Sequence, residues 1–275
     1  ITGANVVCKY DNAQRTGSFK ERGARNALLN LTPSQKKRGV IAASAGNHAL
    51  GLAYHGKLLG IPVTVVMPDY APLIKITTSQ RLGANVIVKG RDFVEARTLA
   101  DELSIKHNYT YIHGFDHDDI IAGQGTMGLE ILKQVPDVDA IVCPIGGGGL
   151  IAGLSLAVKS VRPKVRVIGV ESKAGNFAAA IKAGHPVVQP RRPTLCDGLA
   201  TLTVGANAFS IARKHVDEVV SVGEDWIALA ILRMVELEKT VVEGAAAAPL
   251  AALMAGKLPK LAGQKVVLTV CGGNI

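Results

Sequence analysis

The chain has 275 residues, 48% hydrophobic and 19% charged, enough apolar material for one or two packed domains and too much for a disordered polymer. Cys8, Cys143, Cys196 and Cys271 lie far apart, with no Cys-x-x-Cys pair and no histidine at zinc-finger spacing, which points away from disulfide and structural-metal scaffolds and towards a reduced, intracellular protein. The net charge of +9 is scattered, densest at Lys36-Lys37-Arg38 and Arg191-Arg192, and aromatics reach only 4%, so a nucleic-acid surface is excluded and a mild pull on anionic metabolites remains.

Short β-branched runs alternate with amphipathic stretches, the pattern of an α/β protein with buried parallel strands. A strand is predicted over 5–9, then a Gly17-Ser18 turn opening a helix over 19–30 with Lys20 in its first turn. Alone, Ser18 reads as an N-cap and Lys20 as a surface residue. Held among apolar neighbours and helix N-terminal dipoles, the same amine would fall below its usual pKa of about 10.4 and be free to form a Schiff base. A strand over 39–43 runs through Ser44-Ala45-Gly46-Asn47-His48 into a helix over 47–59, stopped by Gly60-Ile61-Pro62. Small residues there let backbone N–H groups approach a carboxylate or phosphate, while a capping Ser44 or Asn47 and a core His48 account equally for the string.

Strands over 63–67 and 85–88 alternate with helices over 73–82 and 93–106, and a strand over 109–113 precedes a helix over 119–134. Residues 39–116 are therefore expected to form a separate small domain, with 1–38 and 117–275 making the larger one. Next, a strand over 140–143 leads through Pro144 and Gly146-Gly147-Gly148-Gly149 into a helix over 150–160. The uncharged run 140–158 is long enough to span a membrane, but its proline and glycines would break such a helix. Four glycines are costly to order and imply a group approaching the backbone where a Cβ would obstruct it, a phosphate being the natural occupant.

A rival reading uses the same loop: Gly147, Gly149 and Ala152 match G-x-G-x-x-A, and Glu171 follows the next strand, over 165–170, as the ribose-binding acid of an NAD-dependent dehydrogenase. It leaves Ser18-Phe19-Lys20 and Ser44 to His48 unexplained. A strand over 218–222, helices over 225–239 and 245–255, and a strand over 265–270 complete the chain. The last strand runs into Cys271-Gly272-Gly273-Asn274, where a cysteine either fills core or touches a ligand bound across the strand ends.

In this order the four motifs resemble the fold type II pyridoxal-phosphate enzymes, the tryptophan synthase β-like class, and within them the serine/threonine dehydratase (threonine ammonia-lyase) and serine racemase group. Similarity runs from Thr2-Gly3-Ala4-Asn5 to Gly272-Gly273-Asn274 and takes in Ile121-Ala122-Gly123-Gln124-Gly125-Thr126, Asp197-Gly198 and Val242-Glu243-Gly244. The resemblance implies two open, twisted, mostly parallel sheets with flanking helices, pyridoxal 5'-phosphate as cofactor and a small amino-acid substrate. It also implies a cytoplasmic homodimer or higher homo-oligomer without nucleic-acid or membrane partners. Relatives carry several tens of residues before the position of Ile1, so part of the large domain and any targeting segment are expected to be missing, and some relatives continue into a regulatory domain.

Residue by residue, the resemblance implies that Lys20 carries the cofactor as a Schiff base, with Phe19 near the pyridine ring and Asn47 on the ring hydroxyl. The amides of Gly146, Gly147, Gly148, Gly149 and Leu150 would hold the phosphate. Ser44, Ala45, Gly46, Asn47 and His48 would surround the substrate carboxylate, with Gly198 and Glu243 close to the ring and Cys271 facing the pyridine nitrogen. The implied reaction eliminates water from L-threonine or L-serine to give 2-oxobutyrate or pyruvate plus ammonia, with Lys20 as general base. A thiol of pKa near 8.5 does not keep the ring nitrogen protonated, which suits elimination. Racemases of this group carry a serine directly before Gly-Asn-His; Ala45 cannot move a proton, which favours the dehydratase over a serine racemase with side dehydratase activity. The same relatives bind a divalent metal near the residue matching Glu171 with an Asp six positions on, where this chain has Phe177, so no metal is expected there. A non-catalytic ligand-binding relative is the remaining alternative.

Overall fold

The computed structural model describes residues 3–190 and 192–275; Ile1, Thr2 and Arg191, and with them the start of the Thr2-Gly3 motif and half of the Arg191-Arg192 cluster, lie outside the described residues. The chain begins with β1 (Asn5–Tyr10), α1 (Lys20–Leu29), α2 (Pro33–Arg38), β2 (Val40–Ala43) and α3 (Asn47–Leu59). It continues through β3 (Val63–Met67), α4 (Leu73–Arg81), β4 (Asn85–Val88), α5 (Phe93–His107), β5 (Thr110–Tyr111) and α6 (Asp118–Gln134). Then come β6 (Ala140–Pro144), α7 (Gly149–Val161), β7 (Arg166–Ser172), α8 (Phe177–Ala183) and α9 (Ala206–His215). The last elements are β8 (Glu218–Val222), α10 (Glu224–Glu238), α11 (Gly244–Met254) and β9 (Lys265–Val270). Two compact units result, Ile1–Phe19 with Gln124–Ile275 and Lys20–Gly123.

In the larger unit five parallel strands lie in the order β1-β9-β6-β7-β8, with Val142 of β6 facing Leu268 of β9 on one side and Ile168 of β7 on the other. Buried on both faces, β6 is apolar throughout instead of alternating. The chain moves outward from β6 to β7 to β8 and then returns on the other side of β6 as β9. The carboxyl ends of β6 and β9 therefore flank a switch point, where open parallel sheets leave a crevice for ligands.

The smaller unit repeats the device with the order β4-β3-β2-β5, all parallel. From β2 the chain steps out to β3 and β4 and returns beside β2 as β5, so its switch point lies between the ends of β2 and β5. One face packs Val63, Val65 and Met67 against Leu28 and Leu52, and the other sets Ile41, Ala43 and Val66 against Ala96 and Ala100.

Several elements depart from the sequence reading. Helix α1 belongs to the smaller unit, whereas the expected division at 38/39 leaves it in the larger; Gly51 of α3 lets the two helices close until a Cβ there would lie 3.3 Å from the Lys20 carbonyl carbon. The second boundary falls inside α6, past the expected 116/117. Helix α2 was not foreseen, although Thr32 and Gln35 form a capping box around Pro33. Gly39, expected to open a strand, caps α2 at φ 97°, and β2 starts one residue later. Only two residues of the strand expected over 109–113 are regular, because the chain turns at His113 after Ile112 pairs with Ile41. Helices α8 and α9 were not predicted; neither is capped by a side chain at Asn176 or Gly205.

Candidate active site

In the larger unit, β6 delivers the glycine turn. Its pairing extends to Ile145, whose N–H donates to the Val170 carbonyl at 2.7 Å, and α7 begins four residues later with Gly148 at its N-cap. Gly148 has φ 92°, and a Cβ there would stand 3.2 Å from both Ala208 and Val204. A Cβ at Gly146 would meet the Gly198 carbonyl at 2.9 Å, and the Gly205 N–H donates to the Gly147 carbonyl at 3.0 Å. The glycines are thus braced from behind by 198–199 and 204–208. Gly147, Gly148, Gly149 and Leu150 are buried, and no side chain caps the helix. A buried helix start leaves N–H donors without intrahelical acceptors, and its dipole favours an anion, so the cradle fits a phosphate group.

At the end of β9, Cys271 is buried and its carbonyl accepts the Phe19 N–H at 2.9 Å. Residues 16–19 are strapped to 271–274: Ser18 bridges Gly272, the Gly273 N–H donates to Gly17, and Asn274 Nδ2 donates to the Thr16 carbonyl at 2.7 Å. The strap fixes the backbone of Phe19, one residue before Lys20. The Glu243 carboxylate lies over Gly272, where a Cβ would collide with it, and 3.8 Å from a Cβ placed at Gly198. Burial, then the Glu243 carboxylate, push the Cys271 thiol well above its ordinary pKa, so it stays protonated. Ser18 Oγ is fully buried with no hydrogen-bond partner among the described residues. Cys271, Gly198, Glu243 and the glycine turn, with Phe19 beside them, are thus gathered at one switch point. An orphaned hydroxyl and a neutral thiol beside a phosphate cradle fit pyridoxal phosphate.

Glu171, reserved by the dinucleotide reading for a ribose, faces inward instead. Its carboxylate accepts the Phe177 N–H at 2.8 Å and the Ser221 hydroxyl at 3.1 Å, and Phe177 packs edge-on against Phe209. Both oxygens thus serve the start of α8 and β8.

In the smaller unit Lys20 opens α1. Gly51 of α3 on one side and Gly123 of α6 on the other, where a Cβ would lie 2.6 Å from Gly23 Cα, let neighbouring helices close on α1. The buried Glu21 and His55 pair, 3.2 Å apart, ties α1 to α3. Lys20 Nζ donates to the Gly114 carbonyl at 2.5 Å, an acceptor the sequence reading did not single out.

Ser44 follows β2, its N–H pairing with Val66 and its Oγ accepting the Gly46 N–H at 3.3 Å. Gly46 is the N-cap of α3, without a side-chain cap, and a Cβ there would have nothing within 4 Å. Ser44, Ala45, Gly46 and Asn47 therefore present a helix start to open space, a setting for a carboxylate. His48 differs. Its Nε2 stands 3.0 Å from the Ile112 carbonyl, which can only accept, so Nε2 carries the proton and Nδ1 is a bare lone pair without a partner among the described residues. Burial, then the Lys20 charge, push its pKa down to about 3, and a neutral ring with only a lone pair to offer does not suit a carboxylate. His113, also missed, accepts the Asp116 and Phe115 N–H groups at Nδ1, at 2.9 and 3.3 Å. Burial and then Arg97 hold its pKa at about 4. The legible signal was a histidine followed by Gly-Phe-Asp at a strand end.

A family model described as "Pyridoxal-phosphate dependent enzyme" matches residues 1–272. An L-threonine ammonia-lyase of Thermotoga maritima is 46% identical over 276 residues, covering 100% of this chain and 68% of that protein. Among solved structures, the processed form of threonine deaminase isoform 2 from Solanum lycopersicum superposes with a TM-score of 0.96 at 38% identity, covering 100% of this chain and 80% of that one. The serine racemase of Dictyostelium discoideum follows at 0.93 and 36%, covering 100% and 89%.

Proposed function

Because this chain belongs to the pyridoxal-phosphate dependent enzyme family, we propose that it eliminates water from L-threonine and L-serine, giving 2-oxobutyrate or pyruvate and ammonia. The observation that carries this reading is the buried, uncapped start of α7, a phosphate cradle in a chain that also places Lys20 at the head of a helix. When bound, the cofactor supplies an electron sink conjugated to the substrate nitrogen, which acidifies the α-proton and lets the β-hydroxyl depart.

The amides of Gly146, Gly147, Gly148, Gly149 and Leu150 would hold the phosphate, and Lys20 would hold the cofactor's aldehyde end. Phe19 would flank the ring, Asn47 would bind its hydroxyl, and Gly198 and Glu243 would line it. The protonated Cys271 thiol would face the ring nitrogen and, being neutral, would not stabilise a positive charge there as a carboxylate would. Elimination needs only that moderate withdrawal. Ser44, Ala45, Gly46 and Asn47 orient the substrate carboxylate. With the substrate in place, the Lys20 amine would remove the α-proton as general base. Ala45 offers a methyl where a racemase of this group has a hydroxyl, so the opposite face has no proton carrier and the serine racemase reading ranks second. The protein is proposed to work as a cytoplasmic homodimer or higher homo-oligomer; no helix among the described residues is long and apolar enough to cross a membrane.

The test is spectroscopic. The purified protein given pyridoxal phosphate is expected to absorb in the visible, to bleach with borohydride and to gain the added mass on the peptide containing Lys20, and to convert L-threonine to 2-oxobutyrate. A preparation that stays colourless defeats the proposal, and D-serine formation from L-serine would promote the racemase.

A further inference from the structure

Two neutral histidines of the smaller unit have no part in the reaction just described, yet both shape the turn that receives Lys20. We propose that the Gly114 carbonyl is the resting acceptor for the free ε-amine of Lys20, and that His48 and His113 are positioning residues for its proton transfer. The proposal rests on the assignment of Lys20 as general base.

His48 Nε2 donates to the Ile112 carbonyl at 3.0 Å, and the Ile112 N–H donates to Ile41 at 3.0 Å, so the entry to the turn is tied to both α3 and β2. His113 closes the turn from within, its Nδ1 accepting the N–H groups two and three residues on. Its ring meets Phe115 edge-on at 4.5 Å and lies 6.3 Å from Tyr111, over which Arg97 stacks at 3.9 Å, itself held by Asp101 at 2.8 Å. Between them Gly114 rests on the His48 imidazole: a Cβ there would touch Cδ2 and Cγ at 3.5 Å. The carbonyl that receives Nζ is therefore fixed in direction by the two histidine side chains.

A carbonyl suits this task because it accepts but cannot protonate the amine. As NH2, Nζ donates one hydrogen to Gly114 and keeps its lone pair aimed elsewhere. When the substrate Cα–H bond breaks, its electron pair stays on the substrate side, a new N–H bond forms, and the ammonium remains held by the same oxygen. Neutral imidazoles on both flanks add no competing positive charge, since both stay unprotonated until well below neutrality.

Three holoenzyme variants test this with L-threonine and its α-deuterated form. His113→Ala is expected to lower kcat about 30-fold while KM stays within about threefold, with the α-deuterium isotope effect on kcat rising as proton removal becomes limiting. In His113→Asn, Oδ1 accepts the same two N–H groups in an Asx turn, restoring kcat to within about fivefold. His48→Gln keeps a donor for Ile112 and is expected to leave KM within about threefold. The proposal fails if His113→Asn, folded, is as slow as His113→Ala or loses more than about tenfold when the alanine variant does not fold. It fails equally if kcat drops with the isotope effect unchanged, or if His48→Gln raises KM about tenfold at intact kcat, which would return His48 to the carboxylate. Borohydride labelling of the wild-type Lys20 peptide separates the two claims: no label sinks the assignment of Lys20, whereas a label with any of these failures sinks only the turn.

Discussion

Helices α3 and α7 begin alike and live in different surroundings. Each follows a central parallel strand at a switch point, each has glycine at its N-cap, and neither is capped by a side chain. Gly148 is buried at φ 92° with two side chains at 3.2 Å from a would-be Cβ, whereas Gly46 sits at φ −137° with nothing within 4 Å. The first is a close-fitting, braced cradle suited to a resident group, and the second an open berth suited to a ligand that exchanges at every turnover. In the proposed assignment the same backbone device serves cofactor at α7 and substrate at α3, according to how tightly its neighbours enclose it.

Removing the amine that gives both berths their purpose has the largest expected effect. Lys20→Ala should lower L-threonine elimination by at least about 10³-fold and abolish the borohydride-stable label, while leaving phosphate binding at α7 detectable by 31P NMR. Gly148→Ala comes next. A methyl in the left-handed region costs about 1–2 kcal/mol before the crowding at Ala208 and Val204 is counted, so cofactor affinity should fall about tenfold or more by titration of the visible band. Gly46→Ala introduces no backbone strain, and its methyl enters the space assigned to the carboxylate, so KM for L-threonine should rise about tenfold with cofactor affinity held within about twofold. If it releases cofactor as readily as Gly148→Ala, the contrast collapses.

A separate effect is in stability against acid. His48 and His113 have folded pKa values of about 3 and about 4, below the unfolded value near 6.5, so on acidification the unfolded chain takes up their protons first. Stability is full above about pH 6.5 and falls below it, towards about pH 4 for His113 and about pH 3 for His48, by about 1.4 kcal/mol per pH unit for each proton the folded state refuses. Melting curves against pH should show that slope flattened in His113→Asn; an unchanged acid limb would separate His113 from it.

Much of the site was legible because its motifs are local. The four-glycine turn, the small residues before α3 and the lysine behind a Gly-Ser turn are each local signals, and periodicity placed the first two at strand ends and the lysine at a helix start. Helices α8 and α9 went unpredicted; they are short, 7 and 10 residues, and neither start is capped by a side chain. Glu171 was open to two misassignments because an acid after a strand looks the same whether it meets a ribose, a metal or, as here, the N–H of Phe177.

Composition, periodicity and glycine placement, properties of neighbouring residues along the chain, determined the α/β class, the parallel strands and the anion-suited turns. Only the tertiary structure decided that both sheets reverse direction where those turns lie, that His48 gives its one N–H to Ile112, and that Lys20 meets Gly114, 94 positions away. Hydrogen-bond donors and acceptors are assigned by what packs against them in space, and burial then fixes their protonation, so neither could be read from spacing alone.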